Sequence, residues 1–401
     1  MNILLINKFY FQKGGAEKYF FDLKKLLEDK GNTVVLFAMQ HKKNLKTKYN
    51  KYFVSEIKTK PSKNIFKNLK TICRFWWSLE ARRKIKKLLL NNKINIAHLN
   101  NIYHQISPSI LPIFKKHKIP VVMTVHDYSL VSPNYNMFLN GKIYDKICGK
   151  KYYKCLFDKC VNKSFVQSLI SVIEMYLHHK ILNVYKKNID IFIAPSRFVE
   201  KKLLDAGFDK NKIKLLPHFV NPVVAKRLYG VSDYILYFGR LSKEKGIDFL
   251  VAVMQYLPNI KLKVVGQGPL EEKIKLQIKS YNLNNVELTG YKSGDELENI
   301  IKNSNFIVVP SLSPETFGLN ILESQVLGKI VIASNIGALP ELVEKKFLFE
   351  PGKLEDIINK IKSLTKIKKN DILDSYEIAE KVRKKHNPEL YYKKLLEIYN
   401  L

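Results

Sequence analysis

The sequence encodes an α/β protein of two domains, each built on a parallel β-sheet, and three observations carry that reading. Short apolar runs alternate with longer amphipathic ones along the chain, the pattern of βα units wrapped around a parallel sheet. At 401 residues there is enough chain for two separate cores. The series also restarts near Pro217-His218-Phe219-Val220-Asn221-Pro222, where two prolines bracket a hinge.

Strands are expected in the first half at Ile3–Ile6, Thr33–Phe37, Ile94–Leu99, Val121–Val125 and Ile189–Ala194. The second half repeats the pattern at Tyr234–Phe238, Lys261–Val265, Val286–Leu288, Phe306–Val309 and Ile330–Ala333. Helices fall between them, at Ala16–Asp29, Ile247–Tyr256, Leu270–Ser280 and Leu319–Leu327 among others. The expected organisation is a first Rossmann-like domain over residues 1–218, a second Rossmann-like domain over 219–385, and a last helix, 386–401, returning to the first. In such sheets ligands sit at the carboxyl ends of the strands and in the cleft between domains. No internal repeat or low-complexity segment interrupts the series.

Composition narrows the class. The chain is 46% hydrophobic and 26% charged, which is globular. Its net charge of +33 is uneven: residues 1–200 carry 37 Lys and Arg against 12 Asp and Glu. A basic first half implies an anionic partner, such as phospholipid, a lipid-diphosphate or nucleic acid; a plain surplus of solvated lysines is the simpler reading. Asn2–Asn7 is too short for the apolar core of a signal peptide, and no apolar run approaches the roughly 18 residues needed to span a bilayer. The expected location is cytoplasmic, peripheral on the inner face of the cell membrane, with the four cysteines reduced.

The most informative stretch is Ser313-Pro314-Glu315-Thr316-Phe317-Gly318-Leu319-Asn320-Ile321-Leu322-Glu323. If Gly318 opens a helix, its free amides form an anion-binding nest. Glu315 and Glu323 then offer carboxylates to the hydroxyls of the same ligand. Gly239-Arg240-Leu241-Ser242-Lys243-Glu244-Lys245-Gly246 follows the strand Tyr234–Phe238 directly. Arg240 and Lys245 there can hold a diphosphate and stabilise the charge that grows as it leaves. Gly266-Gln267-Gly268-Pro269 is another strand–helix junction, and a lone Gly-x-Gly is weak evidence, since such turns also serve packing. Gly14-Gly15-Ala16-Glu17 separates the first strand from its helix and allows an anion close to the backbone, or is simply a tight turn. His126, in Thr124-Val125-His126-Asp127-Tyr128, ends another strand and is placed to contact a substrate hydroxyl or to serve structurally.

Taken as an ordered set, these motifs together with Gly337-Ala338-Leu339-Pro340-Glu341 resemble the retaining family-4 glycosyltransferases, the group 1 glycosyl transferases of GT-B fold, in which two Rossmann-like domains face their parallel sheets across a cleft. The resemblance spans most of the chain. It implies that Arg240 and Lys245 grip the diphosphate of a UDP- or GDP-sugar donor, with amides of Gly14, Gly15 and Gly266 nearby. Glu315 and the amides of Phe317, Gly318 and Leu319 would hold the donor sugar, Glu323 the ribose, and His126 would sit by the sugar's C6 region. It further implies retention of anomeric configuration, a glycan or lipid-diphosphate-linked acceptor, and a place in surface polysaccharide or glycolipid assembly. No cofactor is implied. The chain lacks Asp-x-Asp, a common signature of a metal bridging the nucleotide diphosphate, so transfer is expected to be metal-independent. Two places depart from the family pattern, His218-Phe219-Val220-Asn221 at the hinge and His386-Asn387-Pro388 near the end, and neither is expected to touch the donor grip. The competing readings are another GT-B enzyme, such as a non-hydrolysing nucleotide-sugar epimerase, or a polyanion-binding scaffold. No nucleic-acid motif appears.

Lys58–Lys93 holds twelve basic residues and one acid, Glu80, around Phe75-Trp76-Trp77. Leu69, Ile72, Trp76 and Leu79 recur at helical spacing, so the segment reads as an anionic-membrane contact, or as a helix packed on the sheet with solvated cations. Cys148, Cys155 and Cys160 lie in a Lys- and Tyr-rich insert without the paired spacing of a zinc site. They are expected to be loop thiols or core fillers, with His178 or His179 the remaining candidates for a fourth ligand. Cys73 is expected to be packed within its helix.

Overall fold

The computed structural model of the protein describes residues 1–57, 65–147, 149, 151–221, 233–365 and 372–400, with the side chains of 65–67 and 372–376 excepted. Two compact units emerge: residues 1–135, 145–216 and 392–401 form the first, and residues 136–144 with 217–391 the second.

Six parallel strands make the sheet of the first unit. They are β1 (Asn2–Ile6), β2 (Thr33–Phe37), β3 (Ile96–Leu99), β4 (Val121–Thr124) and, beyond a short antiparallel hairpin of β5 (Phe138–Leu139) with β6 (Lys142–Ile143), β7 (Ile191–Ala194) and β8 (Ile213–Leu215). The sheet order is β2-β1-β3-β4-β7-β8. β3, β4 and β7 are buried at every position, and β1 at all but its first, as expected of a parallel sheet covered on both faces. The chain first steps from β1 to β2, then reverses to β3, so the order switches between β1 and β3.

The second unit repeats the construction with β9 (Tyr234–Phe238), β10 (Lys261–Val265), β11 (Val286–Gly290), β12 (Ile307–Val309), β13 (Val331–Ser334) and β14 (Leu348–Phe349). Its order is β11-β10-β9-β12-β13-β14, the doubly wound arrangement whose switch point lies between β9 and β12. Buried Leu236, Ile307, Ile321, Leu322 and Ile332 belong to its core; burying a side chain of this size contributes about 1.5–3 kcal/mol.

Several expectations need correction. Residues Cys155 and Cys160 are joined in a disulfide, their Cα atoms 5.0 Å apart across a tight turn closed by Cys160 N–H donating to the Cys155 carbonyl at 3.0 Å. They are therefore neither thiols nor metal ligands. Cys148 lies outside the described residues. Cys73 is exposed. The helical spacing from Leu69 to Leu79 is broken in two: a helix over Ile65–Trp76 ends, and Ser78 caps a second, Leu79–Asn91, by accepting a hydrogen bond from Ala81 N–H. A short polar side chain at that position competes with the helix and restarts it. The tryptophans are half-buried. Trp76 donates its indole N–H to the Ile170 carbonyl at 3.3 Å, and the Arg82 guanidinium lies over Trp77. Residues 58–64 of the basic segment fall outside the described part. No helix among the described residues is long and apolar enough to cross a membrane.

A histidine within the first sheet was not singled out by motif. His98 on β3 is fully buried, with Nε2 2.7 Å from Thr124 Oγ1 and Nδ1 2.5 Å from the Tyr399 hydroxyl on the helix Pro388–Tyr399. Burial pushes its pKa down to about 3. His126 and His179 are pushed equally low, and His386 to about 4, while Glu174 raises His104 against the effect of burial. Histidines held neutral in the fold take up a proton on unfolding once the pH drops below about 6.5, so their contribution to stability is complete above that pH and is lost toward their folded values. Urea unfolding should therefore show stability falling from pH 7 to pH 5, each such histidine contributing up to about 1.4 kcal/mol per pH unit below 6.5. His98→Asn should flatten that slope by one histidine's share. An unchanged slope would remove His98 from the account.

Candidate active site at the strand switch points

In the second unit the site is built by the loops that leave β9 and β12, the pair flanking the switch point. Gly239 follows β9, and its carbonyl would sit 1.9 Å from a Cβ placed on Gly266, whose φ is +145°. A Cβ on Gly268 would fall 2.3 Å from the Leu241 carbonyl. The two loops are sewn together by Gly239 N–H to Val265 O at 3.0 Å, Leu241 N–H to Gln267 O at 3.2 Å and Leu270 N–H to Leu241 O at 3.0 Å. The glycines of Gly266-Gln267-Gly268 are thus required by backbone contact between loops, a packing role that accounts for the motif without a ligand. Tyr237 braces the turn by donating its hydroxyl to the Arg240 carbonyl at 2.8 Å, and burial together with Glu315 and Glu244 raises its pKa. Arg240 itself is exposed, and its guanidinium has no hydrogen-bond or ion-pair partner among the described residues.

Lys245 and Glu315 meet directly. Lys245 Nζ lies 2.6 Å from Oε1 and 2.8 Å from Oε2 of Glu315, and Ser311 Oγ donates to Oε1 at 2.6 Å. Ser311, which sequence reasoning missed, is buried, and its only signal was a polar residue one position beyond the proline that ends an apolar strand. The loop carrying Glu315 is held from both sides. Leu312 and Ser313 N–H donate to the Glu244 carbonyl at 2.9 and 3.2 Å. Gly246, at φ +68°, comes so close to Pro310 that a Cβ would lie 1.9 Å from its carbonyl oxygen. Opposite, Ala338 N–H donates to Glu315 O at 2.9 Å, and a Cβ on Gly337 would fall 2.5 Å from Glu315 N. The segment Gly337–Glu341 therefore supports the Glu315 backbone.

Gly318 caps the helix Leu319–Val326 in a left-handed conformation. The first amides of that helix, at Leu319 and Asn320, have no acceptor within it. Glu323 lies half-buried further along the same helix. Phe317 turns inward, 4.8 Å from the His218 ring and 5.9 Å from the His386 ring. His386 Nδ1 is 2.7 Å from the His218 carbonyl, and Val220 N–H donates to the His386 carbonyl. The two places where the chain departs from the family pattern thus form one bonded cluster against Phe317. The expectation that neither touches the donor-grip residues is overturned, because chain segments 168 residues apart converge there.

The first unit has its own set at the β1/β3 switch. Lys8 N–H donates to Asn101 O at 2.8 Å, and Asn101 N–H to Asn7 Oδ1 at 3.1 Å, joining the loops after β1 and β3. His126, two residues past the end of β4, has Nε2 2.8 Å from Asn100 Oδ1 and its ring 4.9 Å from Tyr19. Its depressed pKa, caused by burial with His98 and Lys8 nearby, keeps it a neutral hydrogen-bonding group. Glu17 is buried beside Asn7, and burial raises its pKa against the pull of Lys8 and Asn7. Gly14 and Gly15 are exposed at the start of the helix Gly15–Asp29. Gly14 is fully extended, a conformation open to any residue, and among the described residues a Cβ there would meet only Glu17 Oε2 at 3.8 Å. Unlike Gly266, it has no packing reason to be glycine.

Gly337→Ala should cost about 1–3 kcal/mol, because it combines a left-handed backbone with a clash against Glu315. In urea unfolding the second unit should lose stability by that amount, and any nucleotide bound at the Glu315 loop should bind more weakly. Gly14→Ala, by contrast, should leave stability unchanged.

Comparisons with known proteins match this construction. Residues 13–224 fit the sequence model described as Glycosyltransferase Family 4, and residues 225–384 that of Glycosyl transferases group 1. An uncharacterized 42.6 kDa protein in the cps region of Klebsiella pneumoniae is 28% identical over 85% of this chain and 87% of its own. The lipopolysaccharide 1,2-N-acetylglucosaminetransferase of Salmonella typhimurium is 30% identical over 38% of this chain and 43% of its own. Among solved structures, Anabaena Alr3699/HepE with UDP and glucose superposes with a TM-score of 0.66 at 16% identity, covering 99% of both chains. At such identity it speaks for the fold alone, two Rossmann-like domains of the GT-B type. With more than half its length matched by one family model, the chain belongs to glycosyltransferase family 4.

Proposed function

We propose that the protein is a retaining, metal-independent glycosyltransferase. It transfers a sugar from a UDP- or GDP-sugar to a glycan or lipid-diphosphate-linked acceptor, in assembly of a surface polysaccharide or glycolipid at the inner face of the cell membrane. The observation that carries the reading is the cluster of Lys245, Glu315 and Ser311 at the β9/β12 switch point, with Arg240 on the same loop as Lys245 and the helix Leu319–Val326 starting four residues after Glu315. The UDP held by Alr3699/HepE and the cps-region relative support the donor class and the pathway class.

The chemistry follows from the charges. An arriving diphosphate engages the exposed Arg240 and shares Lys245 with Glu315, whose remaining lone pairs accept from the donor sugar's hydroxyls. Glu323 is assigned to the ribose, Gly14, Gly15 and His126 to further donor contacts. In transfer the bond from the anomeric carbon to the diphosphate oxygen breaks. The acceptor oxygen bonds to the same face of that carbon, and its proton passes to the departing diphosphate. Arg240 and Lys245 stabilise the charge growing on the leaving group, work that elsewhere falls to a divalent cation.

The test is binding first and turnover second. UDP or GDP should raise the melting temperature of the protein by mass action. Arg240→Ala should weaken that nucleotide and lower kcat/KM on the order of 100-fold, the scale of losing one charge-stabilising donor. Excess EDTA should leave turnover intact. If neither nucleotide stabilises the protein, or if chelation abolishes transfer, the corresponding part of the proposal fails.

A further inference from the structure

The helix Phe165–Tyr176 of the first unit is apolar on both sides. Its inward stripe is Ser168, Val172 and Met175, with Glu174 also buried. A surface helix ordinarily turns charge outward. This one exposes Phe165 (52%), Val166 (64%), Leu169 and Ile173 instead, and Glu174 is its only ionisable side chain besides Tyr176. Residues 165, 169 and 173 follow one another at four-residue steps, so they form a single ridge. The short helix Lys154–Phe157, closed by the Cys155–Cys160 disulfide, packs against it and carries Phe157, 81% exposed. Ile181 is 70% exposed just past its end.

Charge selects the occupant. The stretch around the ridge carries Lys151, Lys154, Lys159, Lys163 and Lys180. Its carboxylates are the buried Glu174 and Asp158, and the latter is paired with Lys146 at 2.9 Å. Exposed apolar side chains in a stretch rich in exposed lysine suit a bilayer whose headgroups are anionic: the ridge enters the acyl boundary and the lysines meet phosphate. A second copy of this chain would set the same lysines against themselves, because a two-fold interface pairs a patch with itself. The tryptophans of the basic segment take a different part. Trp76 is spent on the Ile170 carbonyl of this very helix, so it supports the ridge from inside.

We propose that the ridge Phe165/Leu169/Ile173, with Phe157 beside it, is the surface by which the protein docks on an anionic membrane. The inference deepens the membrane-face reading above, and its test needs neither donor nor acceptor. Full-length protein is sedimented with vesicles of phosphatidylcholine alone and of phosphatidylcholine mixed with phosphatidylglycerol. The parent should bind the anionic vesicles selectively. Replacing the ridge (Phe165→Gln, Leu169→Gln, Ile173→Gln) should lower partitioning at least about tenfold, the loss expected for several apolar side chains at an interface, while leaving the UDP-induced melting shift at the parental value. Ile173→Gln alone gives a milder drop and guards against misfolding of the triple variant. Parental vesicle binding by the triple variant, no selectivity for anionic vesicles, or a dimer seen by light scattering that the ridge substitutions dissociate would each overturn the proposal. A missing UDP shift in the parent would instead count against the donor assignment and leave the docking result standing.

Discussion

The ion pair between Lys245 and Glu315 is the interaction around which the second unit's site is organised. It joins the loop after β9 to the loop after β12, the two edges of the crevice where the strand order reverses. A Glu315 carboxylate this enclosed, its side chain 16% exposed, would cost several kcal/mol if left without a cation. The surrounding backbone is arranged so that the pair forms without adjustment. Gly246 lets the Lys245 turn press onto Pro310, Glu244 ties down Leu312 and Ser313, and Gly337 brings a separate loop beneath Glu315. Each of those glycines has a positive φ and a backbone neighbour closer than any Cβ allows. The site is therefore stiff where its charges meet, while Arg240 stands exposed at its rim.

Most of the fold was legible because parallel strands buried on both faces must be written as continuous apolar runs. Thr33–Phe37, Tyr234–Phe238 and Lys261–Val265 match their predicted limits, and the remaining predicted strands shift by two residues or fewer at either end. What escaped was short or at an edge. β8 carries Lys214 between Ile213 and Leu215, and β14 has only two residues, so neither holds enough apolar sequence to show a period. The hairpin of β5 and β6 is as brief, and half its residues are exposed.

The candidate site was legible where a motif carries chemistry in one segment, and it was not where partners come from distant segments. Arg240, Lys245 and Glu315 could be named from local pattern, but that Lys245 and Glu315 bind each other is a fact of topology, since 70 residues separate them. The same holds for His98, whose partners Thr124 and Tyr399 lie 26 and 301 residues away. A histidine inside an otherwise apolar strand was the available sign. The Phe317 cluster is the sharpest case. His218 and His386 each looked like an isolated departure from a family pattern, yet the two meet: the His386 ring nitrogen lies 2.7 Å from the His218 carbonyl, and both rings pack against Phe317.

That pairing also separates two kinds of motif residue that sequence presents alike. Gly266, Gly268, Gly246 and Gly337 are glycines because a backbone neighbour leaves no room for anything else. They would persist in a protein of this fold whether or not it bound a nucleotide. Gly14 has room for a side chain and an ordinary extended backbone, so the fold does not require it. Arg240 likewise carries a charge that no internal partner uses among the described residues. Residues of the second kind are those whose identity the protein's own stability does not explain. Substituting them therefore tests a binding role with little disturbance of the fold, whereas substituting Gly266, Gly268, Gly246 or Gly337 disturbs the backbone first.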